Sequence, residues 1–425
     1  MVAALFISLF GLMILGVPLY VCLAGSTLFS FAAFTSMPVI GVAQKMFAGI
    51  DKFSLLAIPF FVLAANAMER GGMARRIVNL ANACVGSYRS GVALTTIVGC
   101  LFFGALCGSA PATIVALGGI LYPALLEKRY DRKFSTGLLC STASVALLIP
   151  PSLTMIVYGS VTGSSVGELF IGGFAAGILF AVPFIVYSIW YAKRHDVVVE
   201  DKKSWQEKLK ALKEAAWALG VPVIIIGGIY TGLFTPTESA AVSATYAIIV
   251  GMFVYKEISL KDLIEIGTTS AESTAQLMML MAAAQVLSWI LVVGQIPQRL
   301  SAIMLSITAN KYGILFMMNI IMLIAGMFVD GSAFILILGP LFMPIAQRVG
   351  IDLVSLGIIM VANGCIGMYT PPFGLNLFIG TNVCKLKYSE VVKGIWPFIF
   401  LSLISLVIIT YFPGLYMWLP HLAYR

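Results

Sequence analysis

The chain has 425 residues, 60% of them hydrophobic and 10% charged, with a formal net charge of +8 and a mean hydropathy of +1.01. Soluble proteins carry about 25% charged residues, so this composition excludes a soluble globular protein and indicates an integral membrane protein. Apolar stretches recur along the whole chain, and they predict spanning helices rather than barrel strands. The seven cysteines and two histidines do not have metal-binding spacing, which argues against a zinc site. The sequence contains no P-loop motif, which argues against nucleotide hydrolysis through a P-loop.

Five apolar stretches in the first half are predicted to span the membrane: residues 3–15, 18–35, 53–68, 134–161 and 166–191. The first stretch has no charged region ahead of it and no cleavage site, which predicts a retained span rather than a signal peptide. Between the spans, residues 37–51 form a less apolar connection. Residues 73–87 have the polar and apolar faces of an interfacial amphipathic helix.

Residues 91–127 are predicted to form a re-entrant hairpin, because their two apolar segments are too short to cross about 30 Å of hydrocarbon. The segments cover residues 91–106 and 114–126, and the small residues Gly108-Ser109-Ala110 lie between them. Basic residues flank both ends of the pair, and the positive-inside rule places such short basic loops in the cytoplasm. The alternative is two ordinary spans, which would leave one basic loop on the wrong side.

The pair Pro150-Pro151 interrupts the span over residues 134–161. Proline lacks the N–H of the helical hydrogen bond and its ring clashes with the preceding turn, so the pair predicts a broken helix. Inside a bilayer, the freed carbonyls must be met by protein or water. Residues 193–213 are the one strongly polar stretch, and they predict a cytoplasmic linker helix between the two halves.

The second half repeats this plan. Its predicted elements are spans over residues 215–230, 240–255, 269–293 and 391–411, a charged connection over 256–265, an amphipathic segment over 296–308, a re-entrant hairpin over 311–348 and a broken helix over 353–382. The second helix breaks at Pro371-Pro372, and the second hairpin has the tip Gly331-Ser332-Ala333. Both motifs follow their first-half copies at nearly the same distance along the chain, so the sequence predicts two structural repeats.

An odd number of spans in each repeat, five, inverts the second copy relative to the first. The predicted fold is therefore an all-α integral membrane protein of the inverted-repeat transporter type, with two re-entrant hairpins and two broken helices. The repeats cover residues 1–192 and 214–425, and both termini lie outside. The hairpins enter from opposite sides, so that their tips and the two helix breaks meet at the bilayer midplane.

These tips and breaks are the predicted ion site, because helix N-termini favour anions and exposed carbonyls favour cations. Hard oxygen ligands without a carboxylate cage suit Na⁺ better than a divalent ion. Two clusters of such ligands predict at least two Na⁺ ions. One cluster is Ser109, Ala110 and the carbonyls of Pro150 and Pro151, and the other is Gly331, Ser332, Met368 and Thr370.

Polar side chains at the same places are predicted to bind the solute. Asp330 is the acidic residue at a hairpin tip, and a carboxylate inside a membrane indicates a function. It would accept a hydroxyl of the solute or join a cation site, and the alternative is a structural helix cap. Ser109 and Ser152 add hydroxyls, while Thr154 and Asn376 follow the two breaks and would donate to a polar solute.

The segment Thr235-Pro236-Thr237-Glu238-Ser239-Ala240-Ala241, the paired Pro-Pro breaks and the Gly-Ser-Ala tips resemble the large membrane subunit of TRAP (tripartite ATP-independent periplasmic) transporters. The resemblance covers essentially the whole chain. It implies Na⁺-driven uptake of organic acids by an elevator mechanism, membership of the wider ion-transporter superfamily, and a multi-pass location in the bacterial inner membrane. It also implies two partners, a small four-helix membrane subunit and a soluble periplasmic substrate-binding protein.

Within this family the chain most resembles sialic-acid systems, and a C4-dicarboxylate or a sugar acid is the alternative solute. In such systems the residues that match Ser109 and Asp330 would lie at the solute site. Neither tip carries an arginine to pair with a carboxylate, so helix dipoles, hydroxyls or bound Na⁺ would have to hold the anion.

Three other functions make different demands on the sequence. An intramembrane enzyme would need clustered His, Asp or Glu at one depth, and Asp330 stands nearly alone, so the chain is predicted not to be an enzyme. The permease of an ATP-driven importer would need a cytoplasmic docking loop for an ATPase, and the repeat with two re-entrant tips argues against this function. A stand-alone Na⁺- or H⁺-coupled carboxylate transporter, which uses no binding protein, stays open as an alternative.

Overall fold

The computed structural model describes residues 1–35, 39–199 and 203–424. Within this part of the chain all regular structure is helical, and nine helices are long and apolar enough to cross a membrane. The prediction of an all-helical membrane protein is therefore confirmed.

The first half contains α1 (Val2–Ile14), α2 (Leu19–Phe34), α3 (Ile40–Ile50), α4 (Ala57–Arg70), α5 (Met73–Val85), α6 (Gly91–Cys107), α7 (Ala110–Glu127), α8 (Arg132–Val145), α9 (Leu153–Thr162) and α10 (Val166–Arg194). The second half contains α11 (Trp205–Tyr230), α12 (Pro236–Val254), α13 (Leu260–Val293), α14 (Ile296–Ile307), α15 (Lys311–Gly326), α16 (Gly331–Arg348), α17 (Leu353–Gly367), α18 (Leu375–Cys384), α19 (Tyr388–Tyr411) and α20 (Gly414–Ala423). Short 3₁₀ turns, Phe53–Leu56 and Ala146–Leu148, precede α4 and follow α8.

Reciprocal side-chain caps start three helices of the second half. At α12, Glu238 Oε2 accepts a hydrogen bond from Thr235 N at 2.7 Å, and Thr235 Oγ1 accepts one from Glu238 N at 3.2 Å. The same arrangement starts α11 at Ser204 and α13 at Ser259. The cap at Ser259 explains why α13 begins at Leu260, although the sequence predicted a connection through residue 265.

The stretch between the halves differs from the single linker helix predicted over residues 193–213. Helix α10 extends to Arg194, residues 195–199 are not helical, and α11 begins at Trp205 behind its cap. Residues 200–202 lie outside the described residues. Because no glycine or proline stands between Trp205 and Gly220, nothing stops the polar turns of α11 from continuing into its apolar part. Linker and span therefore form one helix of 26 residues, which packs on α5.

Helices α6 to α10 correspond one by one, and in the same order, to helices α15 to α19. Each copy contains a helical hairpin and then a helix that stops before a proline pair and resumes after it. The distance along the chain from a helix to its counterpart is nearly the same for all five pairs. Both proline pairs, Pro150-Pro151 and Pro371-Pro372, contain a cis peptide bond.

The two halves interlock through these elements. Helix α7 of the first hairpin packs on α18, which resumes after the second break, and α16 of the second hairpin packs on α9, which resumes after the first break. Helices α2, α3 and α4 pack on α13, and α4 also packs on α12. The hairpins and broken helices thus form one group of helices, and α2 to α4 with α12 and α13 form a second group beside it.

Candidate functional site

The first hairpin turns within two residues. Gly108 ends α6 in the left-handed conformation (φ 59°), which glycine adopts without a side-chain clash. Ser109 then caps α7, and its Oγ accepts from Ala112 N at 3.5 Å. The N-terminal end of α7, with its free N–H groups, therefore lies at this tip.

The second hairpin turns through residues 327–330, and its cap is a carboxylate. Asp330 Oδ1 accepts from Ser332 N at 2.8 Å and from Ala333 N at 2.9 Å. Asp330 Oδ2 accepts no hydrogen bond within the described residues. Asp330 therefore caps α16 with one oxygen and keeps the other free, so that the structural role does not exclude a role in binding.

Both tips open onto one cavity of about 700 Å³, a volume typical of small-molecule sites. Seven residues that the sequence predicted to bind solute or ions line it: Ser109, Ala110, Thr154, Asp330, Gly331, Ser332 and Met368. A Cβ on Gly331 would lie 3.4 Å from Thr154 Oγ1, so the second tip is in contact with the helix that follows the first break. Residues of both halves thus surround the same space.

The other predicted residues do not line the cavity in this conformation: Ser152, Asn376, Pro150, Pro151 and Thr370. Ser152 is fully buried and caps α9 by accepting from Met155 N at 3.3 Å. Thr370 Oγ1 donates back to Ile366 O at 2.6 Å. These hydroxyls stabilise the chain at the breaks, one layer behind the cavity wall.

Two buried asparagine oxygens near the second break have no hydrogen-bond donor within the described residues. Asn376 Nδ2 donates to Ser144 Oγ at 2.6 Å, and Asn363 Nδ2 donates to Asn319 Oδ1 at 2.7 Å. The Oδ1 atoms of Asn376 and Asn363 remain unpaired. A buried acceptor without a partner costs about 1–3 kcal/mol, so each of these oxygens is suited to a cation or a donor that the chain itself does not supply.

Four polar residues of the cavity wall were not identified from the sequence. Helix α4 contributes Asn66 and Glu69, and α13 contributes Ser273 and Gln276. These helices are unbroken where the residues lie, so no Pro-Pro or Gly-Ser-Ala motif marks them. The only signal was a polar residue inside an apolar stretch.

The fold is that of a helical membrane transporter. The chain is similar to the YdaH transporter of Alcanivorax borkumensis, with a TM-score of 0.61 and 13% identity over 94% of this chain and 98% of that one. It is also similar to MtrF of Neisseria gonorrhoeae, with a TM-score of 0.65 and 12% identity over 90% and 83% of the two chains. At these identities the similarity concerns the fold alone.

Sequence comparison defines the family. Residues 6–415 match the DctM component of tripartite ATP-independent periplasmic transporters, and the chain belongs to this family. It is 37% identical to the C4-dicarboxylate TRAP transporter large permease protein DctM of Rhodobacter capsulatus, with 97% of each chain covered. It is 39% identical to the isethionate TRAP transporter permease protein DctMQ of Oleidesulfovibrio alaskensis, over 95% of this chain and 64% of the relative. The sialic acid TRAP transporter large permease protein SiaM of Vibrio cholerae is 35% identical, over 97% and 96%.

Family membership confirms the resemblance found in the sequence. The chain is the large permease subunit of a TRAP transporter for small organic solutes, and it is a multi-pass protein of the bacterial inner membrane. It is a secondary transporter and not an enzyme, as predicted. The three relatives are named for three different solutes, so the sialic-acid assignment stays a prediction.

Proposed function

We propose that the chain is the membrane subunit through which a Na⁺-coupled, binding-protein-dependent transporter imports a small organic acid by an elevator mechanism. One observation carries this proposal. Both hairpin tips, the helix after the first break and the residues around the second break line a single cavity of about 700 Å³. A solute in this cavity would contact both repeats at once, as alternating access around one site requires.

The proposed architecture is two inverted repeats, residues 1–192 and 214–425, joined by the linker over 193–213. Residues 91–127 and 311–348 are the re-entrant hairpins, and residues 134–161 and 353–382 are the broken helices. The reciprocal packing of α7 on α18 and of α16 on α9 supports a two-fold relation between the repeats. The hairpins and broken helices would move as one body against α2 to α4, α12 and α13, of which α2, α4 and α13 line the cavity.

At least two Na⁺ ions are part of the proposal. The first would be held by Ser109, Ala110 and the carbonyls of Pro150 and Pro151, and the second by Gly331, Ser332, Met368 and Thr370. The unpaired Oδ1 atoms of Asn363 and Asn376 support cation binding near the second break, because neutral oxygens are the ligands that a hard cation prefers.

The solute would lie between the tips. Ser109, Thr154 and Asp330 would contact it directly, since these residues line the cavity. Ser152 and Asn376 would act from behind the wall by fixing the two breaks. The carboxylate of the solute would be held by N–H groups at the helix ends, by hydroxyls and by bound Na⁺. Sialic acid, a C4-dicarboxylate and a sugar acid are the solutes considered.

Two protein partners complete the proposed system: a small four-helix membrane subunit and a soluble periplasmic binding protein. The relative named DctMQ supports the first partner. This chain matches the DctM component and covers only 64% of that relative. The name DctMQ indicates that the remaining part is a second component, Q, joined to M in one polypeptide. A binding protein would deliver the solute to the cavity from the periplasm.

Uptake into proteoliposomes tests the proposal. The vesicles contain the chain with its small subunit, and the binding protein is added outside with radiolabelled solute. Uptake should require both an inward Na⁺ gradient and the binding protein, and it should stop when a Na⁺ ionophore dissipates the gradient. Uptake that continues without the gradient would refute the Na⁺ coupling, and uptake without the binding protein would favour a stand-alone transporter.

The variant Asp330→Ala tests the site. It should abolish uptake without preventing folding or assembly with the small subunit, because it removes the charged group that the second tip presents to the cavity. Asp352→Ala is the matched control, since Asp352 caps α17 by accepting from Ser355 N at 2.8 Å and does not line the cavity. The control should lose about 1 kcal/mol of stability and keep uptake. Normal uptake by Asp330→Ala would remove Asp330 from the mechanism.

A further inference from the structure

A cavity of about 390 Å³ lies apart from the solute cavity, among helix ends of the second repeat. The start of α15, the start of α17, the end of α19 and the last helix, α20, surround it. We refer to it as the outer cavity, because the predicted topology places these helix ends at the outer surface of the membrane. No described residue lines both the outer cavity and the solute cavity, so the outer cavity is not part of the proposed solute site.

The buried hydroxyl groups of the outer cavity already have partners. The hydroxyls of Ser355 and Tyr416 share a hydrogen bond of 2.7 Å, and Thr410 Oγ1 accepts from Asn319 Nδ2 at 3.0 Å. These groups hold α15, α17, α19 and α20 together around the cavity. They need no ligand, so any ligand must be recognised by the other groups of the cavity.

The charged groups of the outer cavity are not paired with each other. Lys311 and Asp352 both line it, and among the described residues neither forms an ion pair. Asp352 Oδ1 accepts from Ser355 N at 2.8 Å, which leaves Oδ2 available. His421 lines the same cavity and adds a ring N–H. A cation and an anion that share one cavity without pairing suit a ligand that itself carries both charges.

Exposed apolar side chains continue from the outer cavity along one face of α15 and one face of α19. Each stripe begins at a tyrosine of the cavity, and the rings of Tyr312 and Tyr411 are 6.0 Å apart. The stripe residues recur at helical spacing and are between 41% and 67% exposed. They are Phe316, Ile320, Ile324, Phe400, Ile404 and Val407. Tyrosines at the boundary between charged and apolar side chains are typical of a membrane interface.

We propose that the outer cavity binds the headgroup of a phospholipid that carries a phosphate and a primary ammonium, phosphatidylethanolamine, and that its acyl chains lie along the two stripes. The phosphate contacts Lys311 and His421, where the N-terminal end of α15 also favours an anion. The ammonium donates to Asp352 and lies near the ring of Trp418.

This arrangement distinguishes phosphatidylethanolamine from the other common phospholipids. Phosphatidylglycerol lacks the ammonium, and Asp352 opposes its net negative charge. Phosphatidylcholine has a quaternary ammonium without an N–H to donate to the carboxylate. The inference is independent of the proposed solute site, because the two cavities have no described residue in common.

Native mass spectrometry of the full chain, purified in detergent and stripped of lipid, tests the inference. The probes are phosphatidylethanolamine, phosphatidylcholine and phosphatidylglycerol with identical palmitoyl and oleoyl chains. The wild type should bind its first phosphatidylethanolamine at least about threefold more tightly than either other lipid, as expected for one exposed ion pair. Glycerophosphoethanolamine, the same headgroup without acyl chains, should bind at least about tenfold more weakly than the lipid, because it buries no chain.

Three variants locate the binding. Asp352→Asn keeps an oxygen for the cap of α17 and removes the charge, so it should reduce the preference over phosphatidylglycerol to about onefold. Lys311→Gln should weaken binding of both of these lipids by about threefold. Asp131→Asn is the matched control, because Asp131 caps α8 by accepting from Lys133 N at 3.0 Å and does not line the outer cavity. It should keep the wild-type preference. If Asp352→Asn unfolds, Lys311→Gln still reports the site.

Three results would overturn the inference. The first is equal binding of the three lipids by the wild type. The second is a headgroup preference and an affinity that are the same in the wild type, Asp352→Asn and Lys311→Gln, which would place the lipid elsewhere on the protein. The third is binding of glycerophosphoethanolamine as tight as that of the lipid, which would mean that the cavity binds a soluble zwitterion and that the stripes contribute nothing.

Discussion

The two hairpin tips occupy the same position in their repeats and carry different caps. Ser109 caps the first with a hydroxyl that accepts one weak bond of 3.5 Å, whereas Asp330 caps the second with a carboxylate that accepts bonds of 2.8 and 2.9 Å. The second turn is also longer, because residues 327–330 replace residues 108–109. The duplicated backbone is therefore nearly symmetric, while the chemistry that it presents to the cavity is not.

A second difference lies in the helices that face the tips. In the first half, α3 and α4 are separated by Asp51, Lys52 and a 3₁₀ turn, whereas α13 runs through the corresponding region without a break. The start of α13 matches the start of α3, and its end matches the end of α4, at nearly the separation that relates the two hairpins. The first repeat thus places a loop where the second repeat places Ser273 and Gln276 against the cavity.

A close approach between the hairpin and the broken helix occurs in both repeats, and it gives the largest expected effect on stability. In the first repeat Gly104 meets Ala146, and at the matching positions of the second repeat Gly326 meets Gly367. A Cβ on Gly326 would lie 3.2 Å from the Cα of Gly367. Small residues permit such contact between membrane helices.

Gly367→Ala should therefore destabilise the protein, although the first repeat has alanine at this position. A Cβ there would overlap the backbone of Gly326, and overpacking of this kind costs about 1–3 kcal/mol. Thermal unfolding in lipid nanodiscs measures the loss. Gly119→Ala is the control in a helix of the first hairpin, because a Cβ at Gly119 meets nothing within 4 Å, and it should leave stability unchanged or slightly higher. Equal effects of both substitutions would refute the proposed close packing.

The spacing of the motifs was enough to predict where the chain turns and breaks. Proline pairs and small-residue tips act locally, since they remove backbone donors or permit tight turns, and both effects can be read from the sequence. The start of α13 was missed because the cap at Ser259 outweighs the charges over residues 256–265. The linker was predicted as a separate helix because its polarity changes near residue 214, whereas helix continuity depends on breakers and not on polarity.

The four polar residues that α4 and α13 contribute to the cavity wall could not be predicted from the sequence. A polar residue on an unbroken helix such as α4 faces lipid, a partner helix or a cavity according to the tertiary arrangement, and the sequence does not fix that arrangement. For the same reason Ser152 and Asn376 were expected at the cavity and lie behind it. The sequence identifies a helix end as chemically special, and only the packing determines which of its atoms faces the solute.

The serines at the tips allow a smaller test of the symmetry between the repeats. Ser109→Ala and Ser332→Ala should each raise the Na⁺ concentration for half-maximal uptake, by about two- to thirteenfold, if each hydroxyl contributes roughly 0.5–1.5 kcal/mol to an ion site. The uptake assay in proteoliposomes at varied external Na⁺ measures this. Ser165→Ala is the control, because Ser165 caps α10 by accepting from Glu168 N at 3.3 Å and does not line the cavity. An unchanged Na⁺ response in both tip variants would contradict the assignment of the ion sites.

The smallest expected effect concerns the loop that only the first repeat has. Lys52 Nζ donates to Ser160 O at 2.5 Å, in the last turn of α9, so the cation lies at the negative end of the helix that follows the first break. Lys52→Met should lower stability by about 1 kcal/mol, as measured by thermal unfolding, and should leave the Na⁺ response unchanged. Lys210→Met, at an exposed lysine of α11, is the control and should have no effect. Because α13 has no loop in the corresponding region, α18 has no equivalent of this hydrogen bond. If Lys52→Met is as stable as Lys210→Met, the hydrogen bond from Lys52 does not stabilise α9.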